Sequence, residues 1–156
     1  MKPKVNLKQS LTAGTMAAGV AVVINAILFY AFHGAGILAD DIFVQPNQPL
    51  TIVPIIMSSI VPILIAAILF FLLEKYTSNG LKIFSIVATI LFVIFLIMPF
   101  TGIKGVTISY ALVLELMHLV VFLPLMFFIR KAVKSFNRLD EARAILRSEK
   151  NNIHFS

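Results

Sequence analysis

The chain has 156 residues, of which 60% are hydrophobic and 13% charged, and its mean hydropathy is +0.99. Soluble domains carry about 25% charged residues, so this composition argues against a water-facing globular domain. The chain has no cysteine, which excludes disulfides, thiol catalysis, Cys-ligated zinc and lipidated cysteine; the net charge of +6 reads as a topology signal, not a nucleic-acid surface.

Residues 1–10 carry Lys2, Lys4 and Lys8 and no acid. The uncharged run 11–32 follows, long enough to cross ~30 Å of hydrocarbon at ~1.5 Å per residue. Signal-peptide cores are only about 7–15 residues long, so this run is read as a retained span. Gly14, Ala18, Ala21 and Asn25 are spaced four, three and four apart and share one helix face. Small residues at such spacing admit a second helix, so this face should point into a bundle.

Residues 33–50 include Asp40, Asp41, Pro46 and Pro49 and no Lys or Arg. Ile37, Leu38, Ile42 and Phe43 suggest a short interfacial helix or a lid over the bundle. A second span is expected over 51–73. Pro54 sits in its first turn, where proline is tolerated. Pro62, near its middle, frees the Ser58 carbonyl and predicts a kink, with the Ser58 and Ser59 hydroxyls as the expected compensation.

Residues 74–82 form a polar turn with a chain-reversing Asn79–Gly80 pair. The third span, 83–100, ends at Pro99 and is the most purely aliphatic and aromatic, hence the one expected to face lipid most. A short loop, 101–105, leads to the fourth span, 106–129, in which Pro124 frees the Val120 carbonyl and predicts a second kink. A basic tail, 131–156, follows the membrane domain, 1–130. Arg138/Glu141 and Asp140/Arg143 are i,i+3 pairs that suit a helical extension of the fourth span; residues 151–156 look frayed.

Twelve of the thirteen Lys and Arg lie in the first ten residues, the 74–82 turn and the segment from Arg130 onward; Lys104 is the exception. The positive-inside rule then places both termini in the cytoplasm. The expected fold is all-α: a four-helix transmembrane bundle, N-in and C-in, with a basic helical tail.

Helical rise aligns the spans in depth. Asn25 lies ~5 Å outward of the first midpoint, Ser58 and Ser59 about 4–6 Å outward of the second, and Glu115 ~4–5 Å outward of His118 in the fourth. A buried polar cluster of Glu115, His118, Asn25, Ser58 and Ser59 is therefore expected just outside the midplane. Glu115 and His118 are the only ionisable pair deep in an apolar segment, and such groups are costly enough to need a reason. Asn25 reads first as hydrogen-bonding glue between helices. Glu115 and His118 read either as a neutral acid bonded within the bundle or as a proton relay or ligand site. His33 reads as an interfacial residue.

Glu115-x-x-His118 is half of the di-iron carboxylate motif, which needs a second copy and two further Glu residues. The spans hold no other acid, so no metal site is expected. No G-x-S-x-G, H-E-x-x-H or P-loop pattern is present, so no enzyme activity is expected, and no cofactor is predicted.

Asn25 in the first span, VPILIAAIL at 61–69, MPF at 98–100 and LMHLV at 116–120 resemble a family of uncharacterised bacterial four-helix membrane proteins, a domain of unknown function, over about residues 11–130. The resemblance implies the fold and a place in the bacterial inner (plasma) membrane, and it supplies no activity. Claudin-type four-span proteins use Trp and Cys outside the membrane, and this chain has neither.

The function expected is that of a non-enzymatic structural or accessory membrane component. The alternatives are a proton-coupled transporter or channel-like protein working through Glu115 and His118, and a quinone- or haem-binding redox subunit using His118. The partners expected are the bilayer, anionic lipid headgroups at the tail, and further copies of the chain or other membrane subunits, with no nucleic acid.

Overall fold

In the computed structural model, residues 5–45 and 48–153 are described, without the side chains of 44, 45, 48 and 149–153. Four helices follow one another: α1 Leu7–Gly34, α2 Ile52–Tyr76, α3 Gly80–Gly102 and α4 Ile108–Ile153. All four are long and apolar enough to cross a membrane. They form a ring in which α1 packs on α2 and α4, while α3 packs on α2 and α4 and does not touch α1. The α1–α2 connection caps one end of the bundle, here the lid end. The α2–α3 turn lies at the other, terminal end.

Each helix runs further than the hydropathy alone predicts. The first begins at Leu7, in a polar turn, because Asn6 and Gln9 form a reciprocal cap. The Asn6 side chain accepts from the Gln9 N–H at 2.9 Å, and the Gln9 side chain accepts from the Asn6 N–H at 3.0 Å. Two otherwise orphaned donors are satisfied, so the helix starts before its apolar run does. The third helix does not end at Pro99 but continues to Gly102. A proline deletes one helical hydrogen bond, a loss that membrane helices tolerate. Pro62 and Pro124 likewise lie inside helices that run through them.

The α2–α3 turn is only Thr77–Asn79, so Gly80 is pressed against the end of α2. A Cβ there would come within 2.5 Å of the Glu74 Cα, so only glycine fits. The fourth helix spans 46 residues without interruption, carrying the membrane segment and the expected tail as one rod. Asn151–Ile153, expected to fray, belong to it; residues 154–156 lie outside the described residues.

The described residues between 35 and 51 form a lid, and among them no interfacial helix forms. Short antiparallel strands β1 Phe43–Gln45 and β2 Gln48–Pro49 make a ribbon; Pro46 and Asn47 lie outside the described residues. Leu38, Ile42 and Leu50 plug into the bundle against Phe29, Ile55, Tyr110, Val113, Leu114 and Met117. Ile37 packs at the margin and Phe43 is exposed. His33 Nε2 lies 3.1 Å from Asp40 Oδ1, tying the end of α1 to the lid on the surface.

A second apolar cluster fills the terminal half, with Ala13, Ala17, Ala18 and Ala21 of α1 against Ile63 and Phe70 of α2, Phe84 of α3 and Leu125, Met126 and Ile129 of α4. Burial is very uneven between helices. In the third, only Gly80, Phe84 and Pro99 are buried, which agrees with the expectation that it faces lipid most. Large apolar side chains such as Ile27, Val53, Ile65 and Met98 point outward, as hydrocarbon as solvent permits.

The α1–α2 seam is the tightest contact. A Cβ on Gly14 would lie 2.7 Å from the Ala67 Cβ. Near it, the Ser10 hydroxyl donates to the Ala67 carbonyl at 2.6 Å. Gly14→Val should therefore force the helices apart and lower stability by about 1–3 kcal/mol, the usual range for overpacking. Gly19, with open space around it, provides the control. Thermal unfolding in detergent should show a marked loss for Gly14→Val and little change for Gly19→Ala.

Candidate functional site

The polar side chains meet where the two apolar clusters join. Asn25 is 2% exposed and sits between Ala21 in the terminal cluster and Phe29 in the lid cluster. Its Nδ2 donates to Ser59 Oγ at 2.9 Å and to the Met117 carbonyl at 3.2 Å. One amide thus ties α1 to both α2 and α4. Ser59 is fully buried, and its own hydroxyl donates to the Ile55 carbonyl at 2.8 Å.

Ser58 does not join them. It is exposed, and its hydroxyl donates to the Ile55 carbonyl at 3.0 Å. Neighbouring residues on a helix point about 100° apart, so only one of the two serines can face α1. Compensation of Pro62 by these hydroxyls is also corrected. Each has one proton, and both protons go to Ile55, one turn before the carbonyl that Pro62 frees.

Glu115 and His118 lie within one turn of Met117, so they share the level of Asn25, but they face another neighbour. His118 stacks on Phe95 of α3, with centroids 6.1 Å apart and planes 13° apart. Phe122, one turn further, stacks on Phe92 of α3 at 4.4 Å and 14°. Glu115, His118 and Phe122 are spaced three and four apart, so Glu115 continues this α3-facing stripe. His118 Nδ1 lies 2.8 Å from the Leu114 carbonyl. A carbonyl can only accept, so Nδ1 carries the proton in that bond and Nε2 is left as the ring's free acceptor. Both carboxylate oxygens of Glu115 are buried and have no hydrogen-bond partner among the described residues. The expected cluster is thus two sets at one depth: Asn25 with Ser59 inside the α1/α2/α4 seam, and Glu115 with His118 on the α3 side of α4.

Nothing in the sequence singled out Tyr110. It is fully buried beneath the lid, and its hydroxyl has no partner among the described residues. The oxygen of the Asn25 side chain is likewise unpartnered. Among the described residues, no group of three or more His, Asp or Glu is placed to hold a metal ion.

Four apolar helices around a buried amide node define an integral membrane protein of the four-span helical class. The chain belongs to a family of unknown function, DUF6069, whose pattern it matches over residues 6–135. No curated protein and no solved structure shows significant similarity to it.

Interhelical hydrogen bonds in membranes contribute about 0.6 kcal/mol each on average. Asn25→Leu, which removes two, should therefore lower stability by about 1 kcal/mol. Ser58→Ala should change it little. In a double-mutant cycle, Asn25→Leu and Ser59→Ala should couple, while Asn25→Leu and Ser58→Ala should add independently.

Proposed function

We propose that the protein is a non-enzymatic accessory component of a bacterial inner membrane, a compact bundle that works by holding a surface for other membrane subunits or for further copies of itself. The observation that carries this reading is the Asn25 node. In the tightly packed three-helix core, the polar hydrogens of Asn25 and Ser59 bond across or within helices. Ser10 repeats the device nearer the terminal end. Such bonds favour a fixed helix arrangement.

Both termini lie in the cytoplasm in this reading. Support comes from the concentration of Lys and Arg in the first ten residues, at Lys75 and Lys82 on either side of the α2–α3 turn, and in the far part of α4. The exposed Arg130, Lys131 and Lys134 mark where α4 leaves the apolar zone, and their chemistry suits anionic lipid headgroups.

Purification of the full chain from its native membrane, followed by native mass spectrometry, tests the role. An accessory component appears in a complex of fixed stoichiometry, and vesicles holding the chain alone show no solute or proton flux. A lone monomer, catalytic turnover, or a flux carried by the chain alone overturns the reading. A reporter fused after Ser156 should read cytoplasmic; a periplasmic signal reverses the orientation.

A further inference from the structure

We propose that the α3–α4 seam around Glu115 is a proton-exchange site, in which the Glu115 carboxyl takes up and releases a proton beneath a weakly held α3. The inference is independent of the accessory role proposed above, since a holding protein and a transporter could each carry such a site.

Three observations converge on it. The first is the carboxyl itself, with two buried oxygens and no hydrogen-bond partner among the described residues. A structural glutamate in hydrocarbon would be expected to bond a neighbour, as Asn25 and Ser59 do. The second is its surroundings. Phe92 stacks on Phe122 and Phe95 on His118, which fixes the antiparallel register of α3 on α4. Continuing that register by one turn brings the level of Glu115 to that of Pro99, which is buried. Pro99 has no N–H, so the Phe95 carbonyl one turn back lacks its helical donor. The stripe therefore holds a carboxyl, a bare backbone carbonyl and, at His118 Nε2, a free base. The third is how lightly α3 is held. It makes no contact with α1 and buries only three residues.

Among the described residues no other charged side chain lies at this level: Lys104 of the α3–α4 loop is exposed toward the lid end, and the nearest titratable group on α4 besides His118 is the buried phenol of Tyr110. The third helix carries only Lys82, at its terminal end; α1 carries Lys8 and His33 near its two ends; α2 carries Glu74 and Lys75 at its terminal end. The lid's Asp40 and Asp41 are exposed at the surface. A proton leaving the carboxyl oxygen passes to a water admitted when α3 shifts, and from that water to bulk or to Nε2 of His118, which becomes imidazolium. Uptake reverses the transfer.

The test uses the full-length protein in phosphatidylcholine vesicles with dicyclohexylcarbodiimide, a lipid-soluble reagent. It reacts with the protonated acid. The carboxyl proton goes to a carbodiimide nitrogen, the carboxyl oxygen bonds the central carbon, and the resulting O-acylurea rearranges to a stable N-acylurea. Peptide mapping should find one adduct, at Glu115, whose yield falls as pH rises. It should vanish in Glu115→Gln, with unchanged helicity by circular dichroism. His118→Gln should shift the pH profile, and Asn25→Leu should not. Transfer to heavy water should shift the Glu115 carboxyl infrared band. No adduct at Glu115, a yield flat with pH, or a profile unmoved by His118→Gln overturns the proposal. An infrared band that does not exchange shows a sealed carboxyl and also overturns it. Protection by sodium at fixed pH would assign the seam to a monovalent cation instead.

Discussion

The close approach of α1 to α2 is the constraint on which the other contacts depend. In hydrocarbon, apolar side chains gain little from facing one another, so helices associate through close packing and interhelical hydrogen bonds. Gly14 and the alanines at 17, 18 and 21 let the backbones meet, with the space for a Gly14 side chain already filled by Ala67. A hydroxyl as short as that of Ser10 then reaches a carbonyl of α2, and Asn25, higher on the same face, bonds Ser59 and Met117. Asn25 needs all three helices in place at once. It can act as a register pin only because the small residues beneath it have set the distance.

Much of this was legible in the residues. Counting helical rise from span ends put Asn25, Ser59 and the Glu115 turn at one depth, because rise per residue is nearly constant in a membrane helix. The same arithmetic says nothing about azimuth. It could not tell Ser58 from Ser59, or show that Asn25 faces α2 and α4 while Glu115 faces α3, since those depend on which helices are neighbours. The spacing of Gly14, Ala18, Ala21 and Asn25 did carry azimuth, because a face is defined within one helix. The start of α1 was missed for a related reason: an apolar window cannot see a polar first turn, whereas Asn6 followed by Gln9 three residues later marks a cap.

The lid was half legible. Its apolar residues pointed to burial, and Leu38 and Ile42 do plug the bundle. They allowed either a short interfacial helix or a lid, and the prolines at 46 and 49 favour extended backbone for the residues before them. A two-stranded ribbon results, with Phe43 turned outward. The lid closes the apolar half in which Tyr110 is buried, so the lid end is sealed by side chains from a loop.

The contrast between α1 and α3 gives the bundle two kinds of seam. The seams of α1 combine small residues, backbone proximity and three interhelical hydrogen bonds, from Ser10 and Asn25. Against α4, the third helix has two aromatic stacks, and ring stacking tolerates sliding better than a hydrogen bond tolerates stretching. A polar group placed in the α1 seam is held by fixed partners. One placed on the α3 side, as Glu115 is, has no such partner among the described residues, and its environment changes with any small displacement of α3. The fourth helix joins the two, with the Met117 carbonyl turned to Asn25 and Glu115 and His118 turned to α3. Because α4 continues unbroken to Ile153, nothing uncouples that level from its far end except the missing hydrogen bond at Pro124. A change at the α3 seam therefore has a rigid element to act on, while the amide node on the opposite face holds that element in register.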